Sequence, residues 1–212
     1  MPAKTVSIWT DGENHLKNAD PLFAELIKDY GPCTLLPIAE DDYYITLLKG
    51  ILSQQVANDV SQKLFSSFTD CFGTRPDPEK IASSSYAELK ACGVPDLKIH
   101  YIKDLSEHIL TGKISLPGFK DMDDNAIIRQ LTEVRGLGRW TAELFLILGL
   151  CRPDVLPAED FGLKKSMSLL LKLPQVPQKR SQVTVLAETW KPWRSLATWY
   201  FWQYFADISS KV

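Results

Sequence analysis

The stretch LTEVRGLGRWTA, residues 131–142, decides how the rest of the chain is read. Two glycines, Gly136 and Gly138, stand two apart between segments of helical periodicity. Glycine accepts the backbone angles and the close approach of another chain that so tight a turn demands. The helix that begins near Arg139 opens with amides that have no intrahelical partner and with the positive end of its dipole, an arrangement suited to a phosphate. Arg135 and Arg139 flank the turn with side-chain charge. A Gly-x-Gly between two helices is, by itself, more often plain loop geometry, so the surrounding sequence has to decide.

Outward from this turn, nearly every periodic segment reads as helix. Before it, a helix is expected from about Asp123 to Val134. After it, Trp140, Leu144, Ile147, Leu148 and Cys151 share one face until Pro153. Nearer the amino terminus, Asp20 caps a helix with Pro21 at its first position, and Gly31-Pro32 stops it. Residues 34–39 form a connector with no clear assignment. Apolar positions from Tyr44 to Phe68 repeat at helical spacing and predict a helix from Asp41 that is continuous or broken near Gly50. Asp77-Pro78 repeats the cap-plus-proline signal and opens a helix over 78–91; another follows over 96–111, then a loop over 113–122. A helix over 160–171, a proline-rich break at 173–178 and helices over 179–189 and 193–207 complete an all-α chain of about ten helices.

Composition narrows the class without settling the function. The chain has 212 residues, 45% hydrophobic and 24% charged, as expected of a globular protein with a substantial core. No apolar run approaches the ~18 residues of a membrane span, so no membrane partner is expected. Met1-Pro2-Ala3-Lys4 is not followed by the apolar core of a secretory leader. Cys33, Cys71, Cys92 and Cys151 lie far apart without CxxC spacing and are read as reduced thiols of an intracellular protein. A net charge of −2 argues against a protein that coats nucleic acid, but not against an enzyme with few phosphate contacts. His15, His100 and His108 have no metal-ligand spacing.

The full pattern apolar-x-Gly-apolar-Gly-x-x-Thr-Ala, Val134 to Ala142, resembles the helix-hairpin-helix DNA-binding motif. About twenty residues on, LPAEDFGL (156–163) resembles the segment of helix-hairpin-helix DNA glycosylases in which the second of two adjacent polar residues is catalytic. ILSQQV (51–56) resembles the family's early helix that faces the lesion. WKPWRS (190–195) with WYFW (199–202) resembles its carboxy-terminal signature, and RWTA (139–142) its alkyl-base branch. The chain is thus similar, over residues 41–206, to alkylpurine (3-methyladenine II type) glycosylases of the HhH-GPD superfamily. The resemblance implies a two-lobed, all-α glycosylase domain over 41–212. Residues 1–40 are expected as a helical extension packing on it.

The resemblance makes Asp160 the catalytic carboxylate, with Glu159 as its neighbour. Such a group opposes the positive charge that develops on the sugar and can orient the attacking water. The bland alternative for an aspartate after a proline-containing loop is a plain helix cap. A base inside a duplex must be flipped out to be reached. Trp140 and Trp202 are the implied walls of its pocket, where an electron-rich ring attracts a cationic base, and Leu144 stands where relatives place a tyrosine. Trp190, Trp193 and Trp199 are read as packing. Gln54 and Gln55 are candidates to enter the duplex gap. Arg135, Gly136, Leu137, Gly138, Arg139 and Thr141 are the expected DNA contacts of the hairpin. The carbonyls of Thr132, Val134 and Leu137 are the implied ligands of a monovalent cation such as Na⁺ or K⁺.

Bifunctional relatives carry a lysine where this chain has Trp140, and iron–sulfur relatives carry a late four-cysteine cluster, whereas Cys151 is the last cysteine here. Monofunctional base release from damaged duplex DNA, by a monomer without an iron–sulfur cluster, is therefore expected, in the cytoplasm or nucleoid of a prokaryote or the nucleus of a eukaryote. The alternatives are a glycosylase for deaminated or mismatched bases and a non-catalytic DNA-binding module.

Overall fold

Asp20 and Asp77 start their helices as their sequences predict. Each carboxylate accepts a hydrogen bond of 2.9 Å from a backbone amide two residues on, with proline at the first helical position. In the computed structural model, which describes residues 8–211 and leaves Asn58 without a described side chain, the secondary structure is entirely helical. Residues 1–7, the start of the expected extension, and Val212 lie outside the described residues. The helices are α1 (Thr10–Ala19), α2 (Pro21–Tyr30), α3 (Tyr43–Leu52), α4 (Asn58–Phe72), α5 (Pro78–Ser83), α6 (Tyr86–Ala91) and α7 (Asp96–Leu110). They continue as α8 (Asp124–Thr132), α9 (Arg139–Leu148), α10 (Phe161–Leu170), α11 (Arg180–Leu186) and α12 (Arg194–Ser210). Short 3-10 turns lie at Glu40–Asp42, Leu116–Asp121 and Glu188–Trp190.

The observed breaks differ from the expected ones for identifiable reasons. The long helix over 41–68 does not break at Gly50, which stays inside α3; it breaks over residues 53–57, where Gln55 takes the left-handed conformation with φ +54°. The helix over 78–91 is two helices. Ser85 accepts from the Glu88 amide while the Glu88 carboxylate accepts from the Ser85 amide, a reciprocal cap that starts α6 afresh. The pairing of Cys71 with Cys92 also corrects the reading of four thiols. The two form a disulfide with Cα atoms 6.2 Å apart, because the last turn of α4 lies beside the end of α6. Their separation of 21 residues carries no local signature of this. Cys33 and Cys151 remain thiols, and burial raises their pKa values to about 12 and about 11.

The chain divides into two units, one of residues 37–145 and one joining the amino-terminal segment up to Leu36 to residues 146–212, with the division inside α9. Residues 8–36 are thus built into one core with the carboxy-terminal helices. That core surrounds α12, in which seven successive residues, Ser195–Phe201, are buried; a helix apolar or buried all round is a central one. Trp190 and Trp199 are buried in it, and Trp193 meets Trp9 edge-on at 6.3 Å, so these three tryptophans are packing residues. Polar ties close the same core. Glu13, itself buried, accepts from the Cys33 amide at 2.8 Å and the Tyr200 hydroxyl at 3.1 Å. The Trp9 indole donates to the Leu35 carbonyl at 2.9 Å. Burial and the nearby Glu13 carboxylate push the Tyr200 phenol well above its usual range.

The other unit is centred on α3 and α7. Tyr43, Phe119 and Phe145 form a ring cluster, and the Tyr44 hydroxyl shares a 2.6 Å bond with Ser106. Among the described residues no helix is long and apolar enough to cross a membrane.

A Cβ on Gly12 would come within 2.6 Å of the Trp193 ring and 2.8 Å of Leu196. Gly12→Ala therefore sets two effects against each other: alanine gains about 1 kcal/mol of helix propensity, whereas overpacking costs about 1–3 kcal/mol. The collision involves an indole held in the core, so we expect net destabilisation by about 1 kcal/mol, read as a lowered urea midpoint at unchanged slope.

Candidate functional site

Asp160 is the first residue that the fold treats unlike its neighbours. The turn LPAED delivers it to the start of α10, where it caps the helix: its Oδ1 accepts from the Leu163 amide at 2.7 Å. The same oxygen accepts the Trp202 indole N–H from α12 at 2.9 Å. Asp160 is only 8% exposed, although carboxylates are seldom buried without such partners. Glu159 has the opposite environment, with an exposed side chain ion-paired to Lys164 at 2.9 Å. Cap and candidate catalyst are thus the same residue, and the two adjacent carboxylates are distinguished by burial.

The surroundings keep this carboxylate in one orientation. Gly162 passes so close that a Cβ there would lie 3.3 Å from Asp160 Oδ1 and 3.1 Å from the Phe205 ring. Phe161, 68% exposed, meets Phe205 edge-on at 5.8 Å. Ser166 on α10 donates to the Phe201 carbonyl on α12 at 2.9 Å, clamping the two helices further along. Trp202 is half-buried and gives its N–H to Asp160, so it orients the carboxylate in addition to presenting a ring.

The hairpin residues belong to the other unit, together with Gln54, Gln55, Trp140 and Leu144. Gly136 has φ +84°, and its Cα lies so close to Tyr101 of α7 that a Cβ would overlap the ring. Gly138 has neither restriction: a Cβ there would meet nothing within 4 Å. The Arg135 amide donates to the Asp104 carboxylate at 2.8 Å, and the exposed Arg135 side chain lies 3.7 Å from the same group. The Leu137 side chain is buried, as is that of Val134, so these apolar residues anchor the turn. Arg139 pairs with buried Glu143 at 2.9 Å, and Thr141 lies against Gly50.

On α9, Trp140 is 41% exposed, Leu144 is half-buried and Leu148 is 42% exposed, each one turn after the last, forming an apolar stripe. Gln55 is exposed, whereas Gln54 is half-buried and donates its side-chain amide to the Gly136 carbonyl at 2.7 Å. Of the three carbonyls implied as cation ligands, that of Val134 also accepts from the Leu137 amide at 3.1 Å. A carbonyl has two lone pairs, so this bond leaves it able to coordinate. An all-carbonyl donor set suits a hard cation. Among the described residues no cluster of histidine, cysteine or carboxylate side chains could hold a metal ion. Sequence reasoning missed Tyr101 and Asp104, which hold the hairpin from α7; they carry no local motif, and only the packing of α7 brings them there.

Known proteins resemble this chain along most of its length. The profile of the HhH-GPD superfamily base excision DNA repair proteins matches residues 48–194. The chain is 32% identical over 201 residues to the alkylbase DNA glycosidase-like protein mag2 of Schizosaccharomyces pombe, covering 93% of this chain and 94% of that one. It is 31% identical to DNA-3-methyladenine glycosylase 1 of the same organism, covering 93% and 88%. Among solved structures, S. pombe 3-methyladenine DNA glycosylase in complex with abasic DNA superposes with a TM-score of 0.81 at 30% identity, covering 92% of this chain and 96% of that one. The chain belongs to the HhH-GPD superfamily of base excision DNA repair proteins, in its 3-methyladenine DNA glycosylase branch.

Proposed function

We propose that this protein hydrolyses the N-glycosidic bond of alkylated purines, of the 3-methyladenine and 7-methylguanine type, in duplex DNA. The observation that carries this reading is the buried Asp160 carboxylate, held at one oxygen by the Leu163 amide and the Trp202 indole. The relatives' names supply the substrate class.

As the base leaves, positive charge develops on the sugar. A carboxylate already fixed in orientation stabilises that charge without reorganising, and it can align the attacking water. An alkylated purine of this type leaves as a neutral base because it is cationic while attached, so its departure needs no proton from a general acid. One carboxylate is then sufficient, which suits a site where Glu159 is engaged at the surface with Lys164. The exposed ring of Trp140 is of the kind that stacks on a cationic base, and so, in the other unit, is the ring of Trp202.

The hairpin supplies the anchor. The first turn of α9, Arg139 to Thr141, carries the dipole's positive end, and a Cβ at the adjacent Gly138 would meet nothing within 4 Å, an environment suited to a phosphate. The carbonyls of Thr132, Val134 and Leu137 would hold a monovalent cation, which when bound adds positive charge beside that phosphate. Trp140 stands at the place of the attacking lysine of bifunctional relatives, which supports base release without strand cleavage.

Asp160→Asn retains an oxygen that can accept from both Leu163 and Trp202, so folding and binding to damaged duplex should persist. Single-turnover release of 7-methylguanine should fall by about 10² or more, the loss typical of removing a main electrostatic stabiliser. Glu159→Gln should stay within about two-fold of wild type, because exposed ion pairs contribute little; the reverse pattern would reassign the catalytic residue. Borohydride should trap no covalent enzyme–DNA complex, and trapping with strand cleavage would exclude monofunctional hydrolysis.

The hairpin glycines should separate folding from binding. Gly136→Ala meets both the left-handed φ and the Tyr101 ring and should cost about 2 kcal/mol or more of stability. Gly138→Ala should leave the urea midpoint nearly unchanged, yet weaken duplex affinity about ten-fold and flatten the salt dependence measured by anisotropy. An unchanged affinity would remove Gly138 from the DNA anchor.

A further inference from the structure

Residues 53–57, between α3 and α4, form a turn held in a conformation its sequence does not favour. Gln55 has φ +54°, a region that residues other than glycine rarely occupy. Two bonds pin the start of the turn: the buried Lys98 of α7 donates to the Leu52 carbonyl, and Ser61 of α4 donates to the Ser53 hydroxyl at 2.7 Å. A third leaves the turn altogether. Gln54 Nε2 reaches across 82 residues of sequence to the Gly136 carbonyl at 2.7 Å.

That carbonyl belongs to a peptide unit fixed at both ends. Its oxygen accepts from Gln54, while the amide on its other side, that of Leu137, donates to the Val134 carbonyl at 3.1 Å. Two residues before Leu137, the Arg135 amide is tied to Asp104 on α7. A backbone carbonyl can only accept, so it is the NH₂ of the Gln54 side chain that faces it. Gln54 is therefore committed to the hairpin, and Gln55, exposed beside it, is the side chain available to the duplex.

We propose that Gln54 is a positioning residue that sets the exposed Gln55 at a fixed distance from the phosphate-binding hairpin, so that anchoring the DNA backbone and filling the gap left by the flipped base occur in register. This rests on the glycosylase reading. It also predicts where the cost of losing Gln54 will appear. A gap-filling side chain matters when the base must be drawn out of a paired stack, and matters little when the base is already unpaired.

The test compares wild type with Gln54→Ala, Gln54→Glu and Gln55→Gly by two measurements. Glutamate has the shape of glutamine but faces the carbonyl with oxygen alone. The first measurement is amide hydrogen exchange across residues 132–142 in the free protein. The second is single-turnover release of 7-methylguanine from a fully paired duplex and from the same strand with the lesion in an unpaired bubble. Both Gln54 variants should exchange several-fold faster in the hairpin. Their release from the paired duplex should drop about ten-fold, the scale of one lost hydrogen bond, with less than a two-fold drop from the bubble. Gln55→Gly should show the same substrate split with the hairpin exchange of wild type.

Unchanged hairpin exchange in both Gln54 variants would overturn the proposal, as would equal losses on the two substrates or an unchanged rate on the paired duplex. Should wild type release no base from either substrate, it is the glycosylase reading that fails. The exchange measurement then decides alone whether Gln54 holds the hairpin.

Discussion

One oxygen of Asp160 joins two helices of the structure. By accepting from the Leu163 amide it closes the first turn of α10, and by accepting from Trp202 it ties that turn to α12. The two helices then run together, with Ser166 bonded to the Phe201 backbone and Gly162 letting the Phe205 ring approach. A carboxylate that serves as cap and crosslink has little freedom to rotate. Electrostatic stabilisation of a developing charge depends on this, because a group that must reorganise during the reaction loses much of its advantage over water. In the proposed reaction, the structural demand of the helix start and the chemical demand on the carboxylate are met by the same geometry.

In the proposed function the hairpin has a different task, which is to hold a phosphate with a protein whose net charge is −2. Affinity cannot come from a general excess of lysine and arginine. Backbone amides and a helix terminus provide local positive potential regardless of total charge, but they must be aimed. The aiming is done from behind. Tyr101 supports Gly136, Asp104 holds the Arg135 amide, and the side chains of Val134 and Leu137 are buried beneath. Tyr101 and Asp104 are three residues apart on α7, and Lys98, three residues earlier, steadies the end of α3. Positions three and four apart share a helix face. One face of α7 therefore supports both the hairpin and the turn that carries Gln55.

Much of this was legible in the sequence because the signals are local. Asp20-Pro21 and Asp77-Pro78 define helix starts through interactions within three residues, and both appear as read. The Gly136-Leu137-Gly138 turn is equally local, since the left-handed φ observed at Gly136 favours glycine. The division of residues 78–91 was visible in principle as Ser85-x-x-Glu88, a capping box within a run of apparent helical periodicity. Periodicity reports which face is buried and is blind to a two-residue interruption that keeps the same face inward.

Other features depend on contacts between residues far apart in sequence. The sequence alone determined an all-α chain, the hairpin, and the placing of a carboxylate at a helix start, because each follows from the conformational preferences of a few adjacent residues. Tertiary structure decided that residues 8–36 complete the core around α12, that Cys71 meets Cys92, and that Gln54 serves the hairpin. It also decided that Trp202 orients Asp160 and that Asp160, rather than Glu159, is the buried member of the pair. Burial and long-range hydrogen bonds arise only when helices pack, and two adjacent carboxylates with nearly the same local propensities can be separated only by which of them that packing removes from water.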